Sequence, residues 1–233
     1  MTRAKPRASR PPRAWPPRAW PLRAWALVGL ASACAGEASQ QVTFREGWEL
    51  LVCTDDGGLI DARLVVGNTG VVAGQGRLHM DRWRAGESPV NFARLADPYE
   101  AGVWEQRERV SIGPDRLGVE RGGWTLRVND EEAGVVLHLQ PVEAPEVLAV
   151  SGGSGGRTWT LAAPVVAAHA SGWLEAGSQG GAVDGHGIML YRSSTGLPYW
   201  PRQAIFILGG GDTSFGLDVQ GEARLSWARV NGR

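Results

Sequence analysis

Along this chain, hydrophobic and polar positions alternate in short segments instead of recurring every three or four residues. Val135, Leu137 and Leu139 fall on one side of an extended segment, with Val136, His138 and Gln140 on the other. That is the period-two pattern of a half-buried strand. Segments rich in Val, Leu, Ile, Thr and Trp are cut by Gly, Asp, Asn and Pro about every ten residues. They predict strands at 41–54, 59–66, 71–83, 103–112, 117–121, 124–128, 135–140, 158–162, 173–176, 187–191, 204–208, 214–219 and 224–228. Asp55-Asp56-Gly57-Gly58 and Gly67-Asn68-Thr69-Gly70 supply hairpin-type turns. Only residues 89–96 read as helical, and 151–156, Gly and Ser throughout, read as a flexible connector. Ten or so antiparallel strands with tight turns predict an all-β barrel or sandwich.

The first forty residues do not fit this pattern. They are rich in Arg and Pro, with Arg-Ala-Trp recurring at 13–15, 18–20 and 23–25. A short apolar stretch at 24–33 follows, ending in small residues before Cys34. A cationic start, an apolar middle and small residues at a cut describe an export signal. Cys34 resembles the lipidated cysteine of a bacterial lipoprotein signal. Ordinary cleavage near Ala33 is the other reading, and it leaves Cys34 as a bystander or as a disulfide partner of Cys53. Both place the chain outside the cytoplasm, periplasmic or anchored to a membrane through Cys34. Residues 41–233 then form one domain.

Charge and composition narrow the chemistry. Seven of the 24 basic residues precede Cys34 and no acidic residue does, which leaves 17 basic against 24 acidic residues beyond it. So acidic a domain lacks the cationic surface that nucleic acid requires. Lys5 is the only lysine, which removes Schiff-base chemistry from the folded part. Two cysteines exclude a disulfide framework and Cys-rich zinc sites. No two of the four histidines lie at the local spacing of a metal pair, so no metal site is read. The Gly-x-Ser-x-Gly match at Gly152–Gly156 falls in the Gly-Ser connector, a flexible tract that would hold a nucleophile poorly; no phosphate-binding loop is present, and no cofactor is expected.

Several stretches carry a family resemblance. Trp48 is followed by Asp56-Gly57-Gly58 and by Val65-Val66-Gly67-Asn68-Thr69-Gly70. Later come Trp159-Thr160-Leu161-Ala162-Ala163-Pro164, Ser171-Gly172-Trp173-Leu174-Glu175 and Asp184-Gly185-His186-Gly187. Their order resembles the lipocalin-like superfamily of carotenoid 1,2-hydratases (hydroxyneurosporene synthases), AttH-like proteins and fungal Diels–Alderase relatives. The resemblance implies lipocalin-like β-barrels in tandem that hold apolar polyene or polyketide ligands. This chain accommodates the first barrel and little more, so a second barrel would come from a protein partner. It also departs from the family pattern after Gly185-His186-Gly187, where Ile188 replaces an expected Tyr and the acidic position is aliphatic.

Candidate residues follow from both lines of argument. Hydrating an alkene needs a proton donor and walls that tolerate a carbocation. Asp184 with His186, in a Gly-rich turn, is one candidate acid pair; Glu105 is the alternative acid. Trp104, Trp173, Tyr191, Tyr199 and Trp200 are candidates to stack on a flat ligand. Each aromatic has core packing as its simpler reading. Three functions stay open: a non-catalytic lipocalin-like carrier of a small apolar, isoprenoid or lipid-like ligand; a structural or interaction lipoprotein whose barrel its own side chains fill; and a cofactor-independent hydratase, cyclase or isomerase.

Overall fold

The computed structural model describes residues 44–68, 75–96, 101–104, 108–129, 133–142, 148–154, 157–176, 179–195, 202–208, 214–220 and 223–229. Every regular element among them is a strand. In chain order these are β1 Phe44–Thr54, β2 Leu59–Asn68, β3 Gln75–Trp83, β4 Val90–Ala96, β5 Ala101–Trp104, β6 Arg109–Ile112, β7 Asp115–Glu120 and β8 Gly123–Asn129. They continue as β9 Ala133–Pro141, β10 Leu148–Ser154, β11 Arg157–Ala176, β12 Gln179–Thr195, β13 Arg202–Leu208, β14 Ser214–Gln220 and β15 Ala223–Arg229.

One antiparallel sheet runs in the order β4-β3-β2-β1-β12-β11-β9-β8-β7-β6-β5, and β10 pairs with the first half of β11. It curls until its two ends meet, giving the expected all-β barrel of about ten strands, nearly closed. The last step of closure is made by side chains. At Gly76 of β3, an added Cβ would lie 2.5 Å from the Ala101 Cβ of β5 and 3.2 Å from Ile112 of β6. Only a glycine lets these strands approach so closely.

Alternation places the core. Trp48, Leu50 and Val52 of β1, Leu78 and Met80 of β3, Trp124, Leu126 and Val128 of β8, and Val135, Leu137 and Leu139 of β9 point into one buried cluster. A second, separate cluster lies on the outer face of the barrel. There Leu51, Leu161, Ala163, Ile188 and Leu190 meet Leu225 and Trp227 of β15. The small sheet β13-β14-β15 is docked on the barrel in this way.

The structure corrects several expectations. Residues 89–96 are not helical: Val90, Phe92 and Ala96 turn toward the core while Asn91, Ala93 and Leu95 are exposed, a period of two. The Gly-Ser connector includes the end of β10, where the Trp159 ring lies over Gly152 of the facing strand. Residues 158–162 and 173–176 belong to the single strand β11, which passes Pro164 with register shifts on either side of Val165. A bulge is where a strand tolerates proline. Finally, Asp184-Gly185-His186-Gly187 is no turn but the middle of β12. Its glycines serve close approach: a Cβ on Gly185 would meet the Cys53 carbonyl oxygen at 2.1 Å, and one on Gly187 would meet the Leu139 side chain at 2.7 Å. The turn at 55–58 is as expected, with Gly57 at φ 82° and the Thr54 N–H donating to the Gly58 carbonyl at 2.9 Å.

Candidate functional site

The barrel interior is the natural place to seek a lipocalin-type site, and its described lining is apolar and largely buried. Leu50, Leu64, Leu78, Met80, Leu117, Leu126, Leu137, Leu139 and Met189 each have 0% of their surface open to water. Bulk comes from Trp124 and from Trp48 and Tyr191, whose rings sit 5.3 Å apart and tilted by 55°. That tilted contact is a favourable aromatic geometry.

Among the described residues, an ion pair interrupts the apolar lining. Asp115, fully buried at the start of β7, accepts from Arg94 Nε on β4 at 2.7 Å and from the Asn129 backbone N–H at 3.0 Å. Arg94 also donates to the Asn129 carbonyl at 3.3 Å and lies over the Phe92 ring. Both carboxylate oxygens of Asp115 are thereby engaged, and the two ends of the sheet are clasped.

A second polar group lies on the outer face of β1, β2 and β12, where strand parity opposes that of the core. Glu49 accepts from Arg63 Nε at 3.2 Å and from Arg192 Nη2 at 2.7 Å. Asp61 accepts from the same Arg63 and sits opposite Asp81 of β3, itself 2.9 Å from His79 Nε2. All three carboxylates are buried. Burial, and then the Glu49 charge, push the Asp61 carboxyl above its ordinary range, against the pull of Arg63. Sequence reasoning did not single out any of these residues. Glu49 and Arg192 are remote in sequence, and only the β1–β12 ladder joins them.

The sequence candidates scatter. Tyr191 points into the core and packs on Trp48. Trp173 is on the outer face, 44% exposed, opposite Val136. Asp184 and His186 are also outside: the alternate residues Met189 and Tyr191 of β12 face the core, while Ile188 and Leu190 on their own side join the outer cluster. Asp184 is exposed, and neither it nor His186 faces the apolar interior. Trp104 lies on β5. Cys34, Glu105, Tyr199 and Trp200 lie outside the described residues, as does the signal-like segment 1–40. Cys53 has no disulfide partner among the described residues, and burial pushes its half-buried thiol up. Among the described residues no three His, Cys, Asp or Glu side chains converge as metal ligands, and no helix is long and apolar enough to cross a membrane.

No family model matches the chain, and no curated protein matches it. Solved structures do resemble it. The structure of CghA with Sch210972 superposes with a TM-score of 0.52 at 12% identity, over 76% of this chain and 53% of that one. A putative AttH from Nitrosomonas europaea gives 0.49 at 11% identity, over 80% of this chain and 68% of that one. Kievitone hydratase from Nectria haematococca gives 0.47 at 11%, over 79% and 60%. This chain thus spans about half the length of CghA. At such identity the likeness is one of fold: this chain's antiparallel β-barrel shares its architecture with part of CghA.

Proposed function

We propose that the protein is a non-catalytic lipocalin-like module whose barrel is filled by its own side chains and which acts through its outer surfaces. The observation that carries this reading is the closed packing around Trp48, Trp124 and Tyr191, with most neighbouring leucines shut off from water. Small barrels are commonly filled in this way. Asp184 and His186 support no chemistry in an apolar interior, because their side chains leave the barrel wall on its other face. Export, with Cys34 as a lipid anchor, belongs to the same proposal on the strength of residues 1–34. So does a protein partner that meets the small sheet β13-β14-β15.

A second reading is favoured by one observation, the shared fold with CghA, whose structure holds Sch210972. In that reading the chain carries a small apolar, isoprenoid or lipid-like molecule, and a ligand enters by displacing the Trp48–Tyr191 contact. An enzyme of hydratase type is the same reading with an acid added, and Glu105 is the candidate it retains.

Tryptophan fluorescence separates the two. A panel of fatty acids, isoprenoid alcohols and carotenoids is titrated into the purified protein. The filled module gives no saturable quenching with any of them. Saturable quenching that Tyr191→Ala alters would overturn it in favour of the carrier.

A further inference from the structure

Three of the four histidines of this chain stand on one patch of the outer barrel face: His138 on β9, His169 on β11 and His186 on β12. His169 and His186 are direct cross-strand partners, and their rings are 5.4 Å apart between centroids and inclined by 50°. Cys53 of β1 continues the row beyond His186, and Gln140 of β9 continues it beyond His169. Asp184 stands one step along the same face. His138 is separately engaged, 2.9 Å from the Thr125 hydroxyl.

We infer that His169 and His186 form a two-imidazole site for a divalent transition-metal ion on the outside of the barrel. With metal–nitrogen bonds of about 2.1 Å, two imidazoles bound side by side to one ion place their ring centroids about 5 Å apart. The observed spacing is within a few tenths of an ångström of that arrangement. Ladder pairing of β11 with β12, and of β12 with β1, holds both Cα atoms, so binding needs only side-chain adjustment. His169 is exposed, which gives the ion a path, and solvent completes its coordination. Imidazole donors suit Zn²⁺, Ni²⁺ and Cu²⁺ rather than Mg²⁺ or Ca²⁺. Local spacing hides the pair, because a hairpin and not a short motif brings the two residues together.

The test is a calorimetric titration of Ni²⁺ and of Zn²⁺ into the full chain at neutral pH. It is repeated on His169→Gln, His186→Gln and His79→Gln, each checked for the wild-type β circular-dichroism spectrum. The site predicts one ion per chain in the micromolar range, at least tenfold weaker binding in either of the first two variants, and no change in His79→Gln. A metal-dependent rise in Tm lost in the same two variants is the second expected readout. Failure of the wild type to bind either ion below millimolar concentration overturns the inference. So does wild-type affinity in His169→Gln or His186→Gln.

Discussion

Arg94 and Asp115 hold each other across the seam of the barrel, Nε to Oδ2 at 2.7 Å, with the carboxylate fully buried. Arg94 belongs to the edge strand β4, and Asp115 opens β7 near the other edge. Among the described residues the hydrogen-bonded path β4-β3-β2-β1-β12-β11-β9-β8-β7-β6-β5 does not join its own ends, and this pair and the close packing at Gly76 help to bring them together. Arg94→Ala removes a cation from the buried Asp115 carboxylate, a change that costs about 3–5 kcal/mol in comparable sites. The lower end is expected here, because the Asn129 N–H still reaches Asp115. Urea unfolding checks it, and a midpoint equal to wild type would show that the pair does not close the barrel.

The filled interior makes its own prediction. Leu126→Ala removes a fully buried side chain from the main core cluster, which costs about 2–5 kcal/mol. A loss well below about 2 kcal/mol would contradict that packing. The urea midpoint and slope together distinguish these outcomes.

Asp61 should impose an unusual pH dependence. Burial and Glu49 raise its carboxyl above the ordinary value of 3.8. A carboxyl raised on folding holds its proton more tightly in the native state. Its contribution is therefore most favourable in acid and falls as pH rises from the unfolded value through the folded one. Asp61→Asn removes that fall, so the stability of the variant relative to wild type should rise as pH climbs above the ordinary value of 3.8. A difference that is constant, or that declines with pH, contradicts the assignment.

Docking of the small sheet depends on a tryptophan lying flat on a glycine. An added Cβ at Gly216 would stand 2.2 Å from the Trp227 ring on the facing strand. Gly216→Ala should tip Trp227 out of the outer cluster, red-shift the fluorescence and cost about 1–3 kcal/mol. The red shift should vanish when Trp227→Phe is added; its persistence would place the change elsewhere.

The strands were legible in this sequence wherever one face is wet, as at Val135, Leu137 and Leu139. Alternation was lost where both faces are covered. β11 and β12 lie between the barrel core and the outer cluster, so their apolar residues do not alternate with polar ones, and Pro164 and the glycines look like breaks. Glycine misled in a second way. In Gly185-His186-Gly187 and at Gly152 it signals close approach of another chain segment, which a sequence pattern cannot tell from a turn. The Glu49–Arg63–Asp61 group and the His169–His186 pair were invisible for one reason: each is assembled by ladder register, which depends on the whole sheet.

The proposed function rests on a barrel that holds its own side chains and nothing else. Native mass spectrometry with organic extraction, on protein purified from its own host, is the decisive check. The bare chain mass and an extract without a stoichiometric apolar molecule are expected. One apolar molecule per chain, released from the wild type and absent from Tyr191→Ala, would contradict it and establish a carrier.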